Sequence, residues 1–160
     1  MDPVTIANEA TLIYDNITKN SNAVVTRILS LYDLTATKEA LLDSYTPGQT
    51  ITYITRVENT GSASLYNLTI VDDLANGTLQ YIDTSIEGYL NGSPIEVDVQ
   101  KTANTVTFKI DNVLNPNDNV LIIFETTTPT TNPEQVTNTQ TITANGGSTT
   151  GPIVTAKPNP

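Results

Sequence analysis

The chain has 160 residues, 38% of them hydrophobic, with no cysteine and no histidine, and its 17 acidic against 7 basic side chains give a net charge of −10. That length accommodates one domain, or one domain and an appendage, with a core large enough to fold without staples. Missing cysteine excludes disulfides and thiolate metal sites, missing histidine removes the commonest general base and metal ligand, and the acidic balance excludes a nucleic-acid partner, whose phosphates require a basic footprint. Nor does any run approach the ~18 apolar residues of a membrane-spanning helix, so no membrane insertion is expected. The opening Met1-Asp2-Pro3-Val4-Thr5 has neither the basic start nor the apolar stretch of a secretory leader. Release without a leader, or after its removal, is the expectation. Abundant Thr, Asn and Ser around Ile, Val, Leu and Tyr point to an all-β chain.

In chain order, Ile6–Tyr14 and Asn22–Ile28 are strand candidates joined by the polar segment 15–21. The far end repeats them: Asn8 aligns with Asn138 and Thr11 with Thr141 at an offset of 130, then Val25 with Val154 and Thr26 with Thr155 at 129. A lone hairpin is marginal in water, and Ile6, Leu12, Ile13, Val24 and Val25 need a surface to cover them. Residues 1–28 therefore read as a β-arm forming a tentative assembly interface through those five residues, and residues 29–160 as a β-sandwich domain. Strand addition to the edge of another subunit is the natural docking mode, giving head-to-tail self-association.

Ile28–Leu34 reads as the first strand of the domain proper, and Thr35–Ser44 as a loop or at most one helical turn. Pro47-Gly48 is a turn, after which Thr50–Glu58 alternates with period two, as a half-buried strand does. Asn59-Thr60-Gly61 breaks it, and Leu65–Val71 reads as its hairpin partner. Thr78–Ile86 is the next strand. Asn91-Gly92 supplies a type I′ turn between Glu87–Leu90 and Ile95–Val99. Thr105–Ile110 alternates again, Leu114–Asp118 is a turn, and the apolar run Val120–Glu125 suits a central strand covered on both faces. A Thr/Pro linker, 126–134, leads to the closing strands Val136–Ala144 and Pro152–Ala156. Nine or ten strands at this spacing predict an Ig-like, Greek-key β-sandwich with an extra N-terminal hairpin. Its core should contain Tyr53, Val57, Ile70, Phe108, Ile122 and Phe124.

The stretch 46–77 (TPGQTITYITRVENTGSASLYNLTIVDDLANG) resembles the first half of the DUF11 domain, a β-sandwich repeat of bacterial surface proteins. Pro47, Gly48, Thr50, Tyr53, Val57, Asn59 and Gly61 fit that family's "PG-x-T-x-x-Y-x-x-x-V-x-N-x-G" pattern. Asp72, Leu74 and Gly77 fit its "V-x-D-x-L-P-x-G", with Ile70 for Val and Ala75 for Pro. The likeness runs more loosely from about Ile28 to Thr155. It implies a structural subunit on a cell or spore surface, as in some clostridial spore appendages, built as a homopolymer. The alternative is a non-catalytic adhesin, binding or spacer domain. With seven tyrosines, two phenylalanines and no tryptophan, a sugar-stacking platform is not in sight.

Chemistry-bearing residues are few. Adjacent Asp72 and Asp73 point to opposite faces of a strand, and one of them reads as a strand-ending turn former. Ser and Thr without His form no triad, and scattered glycines make no phosphate loop. Asp72, Asp73, Asp111 and Asp118 at strand ends are candidates for Ca²⁺, without the spacing of a dedicated loop. Surface sandwich domains can self-crosslink through a Lys–Asn isopeptide bond with a buried acid. Here the asparagine would be Asn138, but Tyr32 and Asp33 stand where a first-strand lysine is expected, and only Lys101 and Lys109 could substitute. Asn138 is then read as satisfying backbone groups. The expectation is no enzyme, no cofactor, no metal and no covalent cross-link needed for folding.

Overall fold

The computed structural model describes residues 4–15, 17–21, 24–28, 32–75, 77–130, 135–145, 147–150 and 154–158. It divides into two compact units, Met1–Leu31 and Tyr32–Pro160. Every regular element among the described residues is a strand.

The first unit holds β1 (Val4–Asn8), β2 (Thr11–Tyr14), β3 (Ile17–Asn20) and β4 (Val24–Ile28). The second holds β5 (Leu34–Ala40), β6 (Ser44–Tyr45), β7 (Thr50–Asn59), β8 (Leu68–Asp73), β9 (Gln80–Tyr81), β10 (Glu87–Leu90) and β11 (Ser93–Ile95). It continues with β12 (Asp98–Lys101), β13 (Thr105–Ile110), β14 (Asn119–Thr127), β15 (Val136–Ala144), β16 (Gly147–Thr150) and β17 (Val154–Pro158). One sheet runs β11-β10-β14-β7-β5 with β9 also on β14. The other runs β12-β13-β8-β15-β17-β6 with β16 also on β15. Their inner faces meet in one core, where the Phe108 and Phe124 rings from opposite sheets lie 4.9 Å apart. Tyr53, Val57, Ile70, Phe108, Ile122 and Phe124 are all buried there, as the alternation predicts.

Several expectations give way. Thr35–Ala40 is no loop: it belongs to β5, paired with β7 from Leu34↔Asn59 to Ala40↔Tyr53. Its helix-compatible Ala, Lys and Glu conceal a period of two, in which Ala36, Lys38 and Ala40 face inward and Thr35, Thr37 and Glu39 outward. The supposed hairpin of β7 and β8 is instead a crossing between sheets, since β7 pairs with β5 and β14 while β8 pairs with β13 and β15. Asn59 makes that crossing: its side-chain amide donates to the carbonyls of Ala63 (2.9 Å) and Leu114 (2.8 Å) and its oxygen accepts from the Gly61 N–H (3.0 Å). Of Thr78–Ile86 only β9 pairs. β14 is central but alternates, with Leu121 and Ile123 only half-buried. The Asn91-Gly92 turn forms as predicted, with φ of 49° and 81°.

The repeat is sharper than its sequence. β1 pairs with β4 through Ile6↔Thr26 and Asn8↔Val24, and β2 with β3 from Thr11↔Asn20 to Tyr14↔Ile17. β15 pairs with β17 through Val136↔Ala156 and Asn138↔Val154, and with β16 from Thr141↔Thr150 to Ala144↔Gly147. One offset of 130 relates each of these pairs, so Val24, rather than Val25, matches Val154.

Candidate functional site: a buried lysine, aspartate and asparagine

Three strands bring one polar cluster into the apolar interior. Lys38 projects inward from β5 of one sheet, facing Asp72 on β8 and Asn138 on β15 of the other. The Lys38 Nζ donates to Asp72 Oδ2 at 2.5 Å and makes a close contact with Asn138 Oδ1. Asn138 Nδ2 donates to Asp72 Oδ1 at 2.8 Å, and Gln140 Nε2 to Asp72 Oδ2 at 2.8 Å. Behind them Thr55, opposite Lys38 in the β5–β7 pairing, donates its hydroxyl to Gln140 Oε1 at 3.0 Å. All five are buried. The rings of Tyr53 and Phe124 wall the ammonium, their centroids 4.9 and 5.6 Å from Nζ.

Electrostatics push this cluster toward its neutral form. Burial, against the pull of Asp72, drives the Lys38 ammonium below the usual lysine range. Burial likewise raises the Asp72 carboxyl, opposed by Lys38, Asn138 and Gln140. Desolvation penalises a charge wherever water is excluded, and here it disfavours the charged form of both partners, against their mutual attraction. Tyr53 is pushed up to about 12 by burial and then by the Asp72 charge, so its phenol keeps its proton. An amine whose ammonium form is disfavoured by burial, in contact with a carboxamide and with a carboxyl group touching both, is the arrangement nucleophilic acyl substitution needs.

The sequence singled out Asn138, yet its side chain meets side chains rather than backbone groups. Lys38 was missed because it sits in the segment read as a loop; the inward triplet Ala36, Lys38, Ala40 is the signal that would have found it. Lys101 is spent on a surface pair with Asp83, and Lys109 lies opposite Asp98 on the outer strands β12 and β13. Asp72 does not end a strand by capping a turn. Asp73 is the last residue of β8, and in the 114–118 turn Asp118 accepts from the Asn115 N–H at 2.8 Å and Asn91 Nδ2 at 2.7 Å. Among the described residues no three acidic side chains gather as a metal site would require. Nor, among those residues, is any helix long and apolar enough to cross a membrane. An open groove of about 820 Å³ beside Pro94, Ile95, Val97 and Lys109 has no aromatic side chain in its lining.

Of the five N-terminal interface candidates, Leu12 and Ile13 are 67% and 71% exposed. Ile6 lies in β1 and Val24 and Val25 in β4, but their side chains fall outside the described residues.

No protein-family model matches the chain, and no curated protein does. Solved structures do. A variant of BcpA, the major pilin subunit of Bacillus cereus, is similar at a TM-score of 0.63 and 12% identity, over 96% of this chain and 48% of that one. The N-terminal domain of the Streptococcus gordonii adhesin Sgo0707 gives 0.62 and 17%, over 87% and 36%. The C-terminal domain of AspA, an antigen I/II-family protein of Streptococcus pyogenes, gives 0.62 and 16%, over 97% and 55%. At these identities the likeness establishes a shared all-β sandwich fold, and the chain spans 36–55% of those structures' length.

Proposed function

We propose that this chain is a non-catalytic structural unit of a bacterial surface filament, hardened by an isopeptide bond that it forms within itself between Lys38 and Asn138. The observation that carries the reading is the buried contact of Lys38 Nζ with the Asn138 carboxamide, with the Asp72 carboxyl bridging both residues. The Lys38 amine attacks Asn138 Cγ, a C–N bond forms, and Nδ2 departs as ammonia. Asp72 takes the proton from Nζ through Oδ2 and returns one to Nδ2 through Oδ1. Lysine plus carboxamide becomes secondary amide plus ammonia, without oxidant, metal or cofactor. The step occurs once per molecule and has no turnover.

The fold shared with a pilin, an adhesin and an antigen I/II-family protein, together with the DUF11-like motifs, supports a place outside the cell, on a cell or spore surface. The N-terminal hairpin, with Leu12, Ile13 and Ile17 exposed, is the device for head-to-tail self-assembly through Ile6, Leu12, Ile13, Val24 and Val25. The adhesin-type neighbours support a second reading, a spacer that holds a binding domain away from the surface, and the same internal bond serves it.

Intact mass tests the cross-link. The purified chain should be lighter than its sequence by one ammonia, with Lys38 and Asn138 joined in one proteolytic fragment, whereas Lys38→Met and Asn138→Ala keep full mass. Full mass in the unaltered chain overturns the cross-link. For assembly, negative-stain microscopy should show filaments that vanish when residues 2–27 are deleted. Filaments from the truncated chain, or a strictly monomeric full-length chain at high concentration, overturn the role of the arm.

A further inference from the structure

The N-terminal hairpin copies more of β15 than its backbone. The buried face of β15 is Val136, Asn138, Gln140, Ile142 and Ala144. At the offset of 130 defined by the strand pairing, the matching positions are Ile6 and Asn8 of β1, Ala10 between the strands, and Leu12 and Tyr14 of β2. Three of the five positions keep their character, Ile6, Asn8 and Leu12, and the polar one among them is the cross-linking asparagine, matched by Asn8. Of the described side chains at these positions, Asn8 is exposed where Asn138 is fully buried, and Leu12 is 67% exposed where Ile142 is fully buried.

We infer that Asn8 is a second cross-linking asparagine, and that residues 4–28 close and covalently seal the site of another sandwich body of this kind. This rests on the Lys38–Asn138 reading. The body of residues 32–160 already has its own β15, β16 and β17 at that site, so the hairpin's partner is a separate body. That body presents a lysine and an aspartate as Lys38 and Asp72 are presented here. β1 and β2 add along its β8-type edge, Leu12 enters the core, and Asn8 meets the lysine. The reaction is the same: the amine attacks Asn8 Cγ, ammonia leaves, and the carboxyl carries the proton between them. Ala10 stands where Gln140 supports Asp72, so the acceptor carboxylate lacks one donor and the bond forms more slowly than the internal one. The result is a chain of domains joined by covalent bonds rather than by strand pairing alone.

A second copy of the chain can act as acceptor once its own asparagine is removed. Full-length Asn138→Ala, unfolded and refolded at high concentration, should give multimers that survive boiling in detergent. Each link should lack one ammonia and map to Lys38 and Asn8, and Asn8→Ala in the same background should abolish the ladder. In a second measurement the unaltered chain is refolded with excess dye-labelled peptide of residues 1–31. A dye-bearing adduct at Lys38 is expected, and none with the Asn8→Ala peptide. The inference is overturned if the unaltered chain alone loses ammonia while Asn138→Ala stays monomeric at full mass and no peptide attaches. Full mass in the unaltered chain overturns the internal cross-link, and this inference with it.

Discussion

Lys38 and Asp72 are a costly pair to bury, and removing one partner exposes what the other is worth. A lone carboxylate in an apolar interior is strongly disfavoured. In a Lys38→Met chain, which cannot cross-link, burial of Asp72 is no longer opposed by the ammonium that now lowers its pKa. Its carboxyl is therefore held still higher above the unfolded value. A folded-state pKa raised in this way stabilises fully below the ordinary carboxylate range, and the contribution is lost as pH rises through the folded pKa. The folded state binds more protons than the unfolded one across that window, so the slope is negative, at most about 1.4 kcal/mol per pH unit for one group. Urea denaturation of Lys38→Met across the acidic range should show stability falling as pH rises, relative to Lys38→Met with Asp72→Asn. Parallel curves for the two variants would mean that Asp72 is ionised and solvated in the fold.

At the scale of elements, strands were legible where apolar residues alternate, as in β7 and β13, where they run together, as in β14, and where Asn91-Gly92 turns the chain. β5 was not, because a buried lysine between two alanines breaks the apolar pattern that marks an inward face. The candidate site was half legible for the same reason: Asn138 stood out as the asparagine on the closing strand, while its partner lay in a segment taken for a loop. The crossing from β7 to β8 was hidden because proximity in sequence suggests pairing, whereas the sheet assignment depends on long-range partners such as Leu114. Asn59 is the residue that decides it, and it is fully buried. Asn59→Ala leaves the Gly61 N–H and the Leu114 and Ala63 carbonyls without that partner, at a cost of about 2–3 kcal/mol given the price of unsatisfied buried groups. Chemical denaturation should show that loss without a change in strand content. A loss below about half a kcal/mol would mean that water replaces the amide freely.

For the whole molecule, the position of the proposed Lys38–Asn138 bond matters more than its strength. Lys38 and Asn138 are separated by 100 residues, and they lie on β5, near the start of the sandwich, and β15, near its end. A covalent link there closes almost the whole body into a ring. By the chain-entropy argument used for disulfides, closing a loop of this length stabilises by roughly 4–5 kcal/mol. Asn138→Ala also removes a donor to Asp72, so a melting experiment mixes the two effects. Extension under load separates them. Tension applied between the ends of unit Tyr32–Pro160 reaches the Lys38–Asn138 bond before it reaches any sheet inside the ring, so the enclosed residues stay folded or slack. Without the bond the same residues pay out at ~3.3–3.6 Å each, which adds roughly 330–360 Å over a separation of that size. Single-molecule stretching should therefore give a short, rigid contour for the unaltered chain and a longer one, by about that amount, for Asn138→Ala and for Lys38→Met. Equal contour lengths in all three would show that force passes through hydrogen-bonded strands alone.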